Sequence, residues 1–198
     1  MRALAKQGQE VIIAKCRRGE ARTPRGMQVG SGTHDAFALA SVETCPIMQI
    51  MFRRAQLADL PAIIALLADD ALGQQREDAS SPTNPKYVDA FQAILADANQ
   101  LQMVATANDE VIGTLQLSFI PGLARTGAWR GQIEAVRIAA THRGSGAGQQ
   151  MFEWAIGQCR ARGCDLVQLT TDKTRSDAHR FYERLGFAGS HLGYKLML

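Results

Sequence analysis

Cysteine is scarce in this chain of 198 residues, which contains four copies at positions 16, 45, 159 and 164. They show neither the paired C-x-x-C spacing of a zinc site nor the density of a disulfide-stabilised secreted scaffold. No apolar run approaches the roughly 20 residues that cross a membrane, and the apolar segment at 11–14 is too short for a signal-peptide core. These absences predict no zinc, no disulfide and no membrane association, and they favour a cytoplasmic protein.

An excess of basic charge over most of the chain is also missing. The formal net charge is +3, but residues 1–47 contain seven Lys/Arg against four Asp/Glu, whereas residues 48–198 contain fifteen of each. A nucleic-acid-binding domain needs a basic surface on the domain itself. We therefore expect no nucleic-acid partner.

Residues 1–47 lack sustained hydrophobic periodicity and mix Gly, Ser, Thr, Arg and Pro. We interpret them as a disordered extension or as the product of a misassigned start, because Met48 and Met51 stand directly before the first predicted strand. A cleaved Arg-rich targeting peptide is the alternative. The catalytic domain is predicted to occupy residues 48–198.

Hydrophobic periodicity across that domain predicts the element order β-α-α-β-β-β-α-β-α-β, which is a mixed α/β fold. Asp59 is predicted to cap the first helix, which ends near Asp69. The strands are expected at 52–55, 101–107, 111–119, 132–138 and 165–170, with a last strand at 194–198 that closes the sheet.

The most informative segment is a glycine-rich turn, Arg143 to Gly148, between the strand at 132–138 and a helix predicted from Ser145 to Arg162. The free N–H groups and partial positive charge of a helix start can bind phosphate oxygens when glycines let a ligand approach. Gln149 stands where the dinucleotide fingerprint needs its third glycine, and no G-K-[ST] run of a P-loop occurs. A glycine needed only for tight packing is the structural alternative.

A second motif lies after the following strand, where residues 178–187 read A-H-R-F-Y-E-R-L-G-F. Together with R-x-x-G-x-G at Arg143, Gly146 and Gly148, this pattern resembles the GNAT superfamily of acetyl-CoA-dependent N-acetyltransferases over residues 51–198. The resemblance implies a central, mostly antiparallel mixed sheet that is flanked by helices and splayed at the strands that bind CoA.

The resemblance also implies acetyl-CoA as cosubstrate and no metal. Pantetheine is expected along the strand at 134–138, and the pyrophosphate at the glycine turn. The residues expected to bind the cofactor are Val136, Arg137, Ile138, Arg143, Gly144, Ser145, Gly146, Ala147, Gly148, Gln149, Arg175, Ala178 and Tyr182. Arg175 departs from the family pattern, because many members have an asparagine there that touches the cofactor.

Two residues are expected to move protons. Glu134 lies beside the expected thioester and could accept the ammonium proton of the acceptor through water, although it could instead pair with Arg130 or Arg137. Tyr182 matches the family tyrosine that commonly serves as general acid, although it could be only a packed aromatic. The backbone N–H of Val136 is the expected carbonyl polariser.

The predicted function is acetyl transfer from acetyl-CoA to a primary amine of a small molecule. A protein lysine or N-terminal acetyltransferase is the alternative if the loop at 73–85 leaves an open groove. A CoA sensor or interaction module without turnover is the second alternative, and a homodimer is left open.

Overall fold

The computed structural model describes residues 49–71, 73–82 and 84–198. The predicted N-terminal extension at 1–47 lies outside these residues.

Apart from one added helical turn between β3 and β4, the elements follow the predicted order up to the last helix. The strands are β1 (Met51–Arg54), β2 (Gln100–Ala107), β3 (Glu110–Pro121), β4 (Trp129–Ile138) and β5 (Leu166–Leu169). The helices are α1 (Leu60–Ala68), α2 (Pro85–Ala96), the single turn α3 (Ala124–Gly127), α4 (Ala147–Arg162) and α5 (Ser176–Arg184). Short 3-10 turns at Leu57–Asp59 and Ala140–His142 precede α1 and the glycine turn.

The described strands form one five-stranded sheet in the order β1-β2-β3-β4-β5. The first four strands are antiparallel to their neighbours, and β5 is parallel to β4. A parallel pair requires a crossover, which α4 supplies. The predicted mixed, mostly antiparallel fold with flanking helices is confirmed.

Each face of the sheet carries its own core. On one face α4 buries Met151, Phe152 and Ala155 against the strands, and Phe181 of α5 packs at the border. On the other face α1 and α2 bury Ile63, Ile64 and Phe91. The larger core holds α4 firmly against β3 and β4, which fixes the start of α4 relative to the end of β4.

The predicted closing strand at 194–198 is wrong, because residues 188–198 form no strand. Leu192, Tyr194 and Leu196 alternate in the sequence, but their side chains are exposed. Such alternation becomes a strand only where a neighbour supplies hydrogen bonds and covers the apolar side, and this segment has no such neighbour in the described structure.

Asp59 occupies the predicted cap position of α1, but its carboxylate does not bond to that helix. It accepts two hydrogen bonds from the Arg53 guanidinium, at 2.7 and 2.8 Å, and one from the backbone N–H of Gln56. The Arg53 hydrogen bonds hold the pKa of the Asp59 carboxyl below its usual value, against the opposing effect of burial. The buried carboxylate thus ties β1 to the turn before α1.

Candidate active site

The sheet opens between its two parallel strands. β5 pairs with β4 only over Arg130 to Ile133, whereas β4 continues to Ile138 and stays paired with β3 along its other edge. Among the described residues, the β5-facing backbone groups from Glu134 to Ile138 therefore have no partner strand. This is the predicted splay, and a ligand with amide groups can pair there as a strand would.

A β-bulge lies at the start of the open edge. Gln116 of β3 is opposite Glu134, whereas Thr114, two residues away on β3, is opposite Arg137, three residues away on β4. The extra residue is accommodated by Ala135, whose φ is +51°. A non-glycine residue in this left-handed region costs about 1 kcal/mol. The bulge places Glu134 and Arg137 on the same face of the sheet, whereas Val136 and Ile138 pack against the α4 core.

The glycine turn that follows β4 has the conformation that glycine permits. Gly144 and Gly146 have φ of +80° and +90°, a region that residues with a Cβ rarely enter. A Cβ built on either residue meets no heavy atom within 4 Å. The outer side of the turn is therefore open to a ligand.

The turn leads directly into α4. Ala147 is buried and its N–H lies 3.3 Å from Oγ of Ser145. Gly148 and Gln149 belong to the first helical turn, where N–H groups have no intrahelical acceptor. A Cβ on Gly148 would lie 3.6 Å from the Phe181 ring, an ordinary van der Waals distance, so the packing of α5 does not itself require glycine here. These donors fit an anionic group such as a pyrophosphate.

The Arg143 side chain turns away from the donors of α4. Its Nε donates to the carbonyl oxygen of Ile138 at 3.1 Å, and its Nη2 donates to the Asp69 carboxylate at 2.7 Å. The guanidinium therefore links the end of β4 to the end of α1.

A row of polar side chains covers the sheet face that carries Glu134. Opposite residues across β2, β3, β4 and β5 share this face, and Val104 of the α1 and α2 core marks it. We call these residues the polar face: Gln100, Gln102, Gln116, Ser118, Gln132, Glu134 and Gln168. Neighbouring members bond to one another, as in the 2.7 Å contacts from Gln168 to Gln132 and from Ser118 to Gln100.

Glu134 itself is exposed. Within the described ranges Glu134 forms no ion pair. The alternative prediction, that it pairs with Arg130 or Arg137, is therefore not met. Its carboxylate is therefore available to a molecule that lies on the polar face.

Tyr182 of α5 is half-buried among aromatic rings, with centroids 5.5 Å from Phe152, 5.6 Å from Phe181 and 6.2 Å from Phe187. Burial raises the pKa of the Tyr182 phenol, and the nearby guanidinium groups of Arg175 and Arg137 lower it by less. The phenol therefore stays protonated at neutral pH, which a proton donor requires.

Arg137 and Arg175 meet at the carboxylate of Asp70. Nη2 of Arg137 lies 3.5 Å and Nη2 of Arg175 lies 3.6 Å from Oδ2 of Asp70. Arg175 immediately precedes α5, and Ala178 is half-buried one turn later.

Asp70 and the polar face were not identified from the sequence. The alternating Gln and Ser residues of β2 and β3 were a signal for the polar face, because they indicate a sheet face that is not purely apolar.

Neither a metal cluster nor a membrane span appears in the part of the chain that the structure describes. No group of three or more His, Cys, Asp or Glu residues there could hold a metal ion. No helix among residues 49–71, 73–82 and 84–198 is long and apolar enough to cross a bilayer.

A sheet that opens beside a glycine turn at a helix start is the arrangement expected of an acyl-CoA-binding transferase. The chain belongs to the acetyltransferase (GNAT) family, whose family model matches residues 66–187. It is therefore an enzyme, an N-acetyltransferase, as the two motifs predicted. The family uses acetyl-CoA as cosubstrate.

Three relatives illustrate the similarity. Aminoalkylphosphonate N-acetyltransferase of Salmonella typhimurium is 35% identical over 108 residues, which cover 54% of this chain and 70% of that protein. N-alpha-acetyltransferase 30 of Schizosaccharomyces pombe is 29% identical over 112 residues, which cover 57% and 71%. A solved structure described as a transcriptional regulator from Bacillus halodurans C-125 is 46% identical, with 75% of this chain and 99% of that chain covered and a TM-score of 0.73.

Proposed function

We propose that the protein transfers the acetyl group of acetyl-CoA to the primary amine of a small molecule. The observation that carries this proposal is the separation of β4 from β5 after Ile133, beside a glycine turn whose outer side is open. The open edge offers hydrogen bonds to amides, and the turn offers N–H donors to phosphates. Both groups occur in CoA.

Backbone groups provide most of the proposed cofactor contacts. Val136 and Ile138 would bind the pantetheine amides from the open edge of β4, and the N–H groups from Arg143 to Gln149 would bind the pyrophosphate. Ala178, in the first turn of α5, would contact the cofactor through its small side chain. When bound, acetyl-CoA supplies the acetyl thioester.

Glu134 would act as the base on the acceptor amine. An amine attacks only as the neutral form, so its ammonium proton must leave first. The exposed Glu134 carboxylate lies next to the bulge, and the N–H of Val136 in the bulge would polarise the thioester carbonyl. With these roles, the proton acceptor Glu134 and the carbonyl-binding N–H of Val136 would lie two residues apart on one strand.

Tyr182 would donate the proton that the departing thiolate needs. Its phenol is kept neutral by burial among aromatic rings, and it belongs to the helix that follows β5, on the far side of the opening from Glu134. Base and acid would thus act from opposite sides of the reacting groups.

Contacts between loops favour a small acceptor over a protein. Asp70, at the start of the loop that joins α1 to α2, reaches Arg175 in the loop that joins β5 to α5. A peptide needs an open groove between these loops. The Salmonella relative, which is named for a small-molecule acceptor, supports the same choice.

Thiol release from acetyl-CoA tests the proposal. Small amines, a peptide with a free N-terminus and a lysine peptide are compared, with a reaction that lacks amine as the control. We expect kcat/KM for the best small amine to exceed that for either peptide by at least about tenfold, which is about 1.4 kcal/mol. Preference for a peptide would indicate a protein acetyltransferase. Calorimetric binding of CoA, without thiol release from acetyl-CoA in the presence of any of the amines, would indicate a binding module.

A further inference from the structure

Two arginines from different elements converge beside the proposed reacting groups. Arg137 belongs to β4, and Arg175 stands in the loop before α5, on the other side of the opening. Both guanidinium groups approach one carboxylate oxygen of Asp70, at the start of the loop that joins α1 to α2. An oxyanion therefore fits between the two arginines.

Nη1 of Arg137 donates to the carbonyl oxygen of Val136 at 2.9 Å, whereas the contacts of both Nη2 atoms with Asp70 are long. The distances of 3.5 and 3.6 Å exceed the roughly 2.7–2.9 Å of a charge-assisted hydrogen bond. The other oxygen of Asp70 is held by the N–H of Gly73 at 2.6 Å. Nε of Arg137 is buried and has no hydrogen-bond partner among the described residues. An arginine presents its donors as a fork that suits carboxylate or phosphate-type groups.

The arginine pair lies near the proposed amine site. Arg137 shares its sheet face with Glu134, and both guanidinium groups are close enough to Tyr182 to influence its phenol. Arg143 of the glycine turn instead binds Ile138 and Asp69. Strand geometry places the Cα atoms of Glu134 and Arg137 within roughly 10 Å of each other. A small molecule can therefore contact both side chains.

We propose that Arg137 and Arg175 bind an acidic group of the acceptor, and that Asp70 occupies their donors in the free enzyme. This inference rests on the proposed function. The acceptor is then a small amine with a carboxylate, phosphate or phosphonate a few bonds from its nitrogen. Glu134 receives the ammonium end and the arginines receive the acidic end, so two opposite charges orient the amine toward the thioester.

Direct binding gives the first test. Aminoethylphosphonate, β-alanine and propylamine are titrated calorimetrically into the CoA complex of the full chain. We expect at least one acidic amine to bind at least about tenfold more tightly than propylamine, and the phosphonate and carboxylate compounds identify the preferred acid. Equal binding of acidic and neutral amines would overturn the inference, whether or not the enzyme turns them over.

Substitutions locate the binding groups. Arg175→Gln and Arg137→Gln should each weaken binding of the preferred acidic amine by at least about tenfold and leave propylamine binding within about twofold. Arg180→Gln is the matched control, because Arg180 is an exposed arginine on α5 that pairs with Asp177. Arg175 is half-exposed, so its variant should fold even if the Arg137 variant does not.

Asp70→Asn tests whether Asp70 competes with the acceptor for the two arginines or instead holds them in position. The asparagine keeps an oxygen for the N–H of Gly73 but removes the charge that competes for the arginines. We expect about threefold or greater tightening of acidic amines and no change for propylamine. Weaker binding of the acidic amines would overturn the role given to Asp70. A loss of CoA affinity in both arginine variants, with the acid preference unchanged, would assign the arginines to the CoA phosphates instead.

Discussion

Gln116 and Glu134 lie directly opposite each other across β3 and β4, at the position where the bulge begins. The pairing sets the Glu134 carboxylate on the polar face and leaves the next residues of β4 to turn their backbone toward the opening. The side chain proposed for the acceptor and the backbone proposed for the cofactor thus belong to neighbouring residues of one strand.

Glu134→Gln should lower kcat/KM at neutral pH and recover part of the loss at high pH. A base matters most while the acceptor amine is protonated, so its loss is partly compensated once solution conditions deprotonate the amine. The rate is measured across pH with the acceptor found in the thiol-release panel. Glu110→Gln, in the β2 to β3 hairpin, is the control and should match the wild type. A uniform loss at every pH would contradict the base and favour a role in positioning.

Tyr182→Phe should lower kcat by about 10²-fold and leave the acetyl-CoA affinity nearly unchanged, because general acid catalysis contributes about this much. Burial raises the pKa of the phenol, so the wild-type kcat should hold until the pH rises above about 10 and then fall as the proton donor is lost. Tyr194→Phe is the control, because Tyr194 is exposed. Full kcat in the Tyr182 variant would leave catalysis to positioning and the Val136 N–H.

Gly146→Asp should weaken CoA binding by at least about tenfold, or about 1.4 kcal/mol. The substitution places a negative charge where we expect phosphate. Gly146→Asn is the matched control, since it carries the same backbone strain at φ +90° without the charge. Calorimetric titration of CoA into both folded variants isolates the electrostatic part of the loss in CoA affinity. Equal affinities for the two variants would place the phosphates elsewhere.

Asp59→Asn should destabilise the fold by about 1 kcal/mol at neutral pH, because Arg53 would lose the charge of a buried, hydrogen-bonded partner. The pKa of Asp59 is lowered in the folded state. Its stabilisation is therefore present above the unfolded pKa of about 4 and is lost as pH falls through the lower folded pKa.

The difference in unfolding free energy between wild type and Asp59→Asn should accordingly shrink below about pH 4. Urea unfolding at several pH values measures it. Asp109→Asn, in the β2 to β3 hairpin, is the control and should show no such trend. A difference that stays constant down to about pH 2 would mean that the carboxylate charge contributes nothing.

Removal of residues 1–47 should change the melting temperature by only a few degrees. A segment with so little periodic apolar sequence can bury little surface. Differential scanning calorimetry compares the full chain with a chain that begins at Met48. A drop of about ten degrees or more would show that the extension packs on the domain.

The features that the sequence predicted depend on short-range pattern. The alternation from Gln132 to Ile138 indicated β4, and helical spacing from Met151 to Cys159 indicated α4, because each pattern lies within one element. The two motifs then identified the family, although α4 begins at Ala147 rather than at Ser145.

The features that sequence reasoning missed depend on distant residues. Asp70 meets Arg137 and Arg175 only after α1, β4 and the loop before α5 are placed in three dimensions. The bulge at Ala135 follows from unequal residue counts on two paired strands, which neither strand contains alone. The wrong prediction of a strand at 194–198 has the same cause. Its alternating residues become a strand only beside another strand, and the described structure contains no such strand next to them.

The open edge of β4 is also a potential site of aggregation. Unpaired strand edges recruit other chains, and proteins reduce this risk with charged residues and bulges along the edge. β4 has features of this kind, namely the charged residues Glu134 and Arg137 and the bulge at Ala135. We therefore expect variants that neutralise Glu134 or Arg137 to aggregate more readily than the wild type when no cofactor is bound.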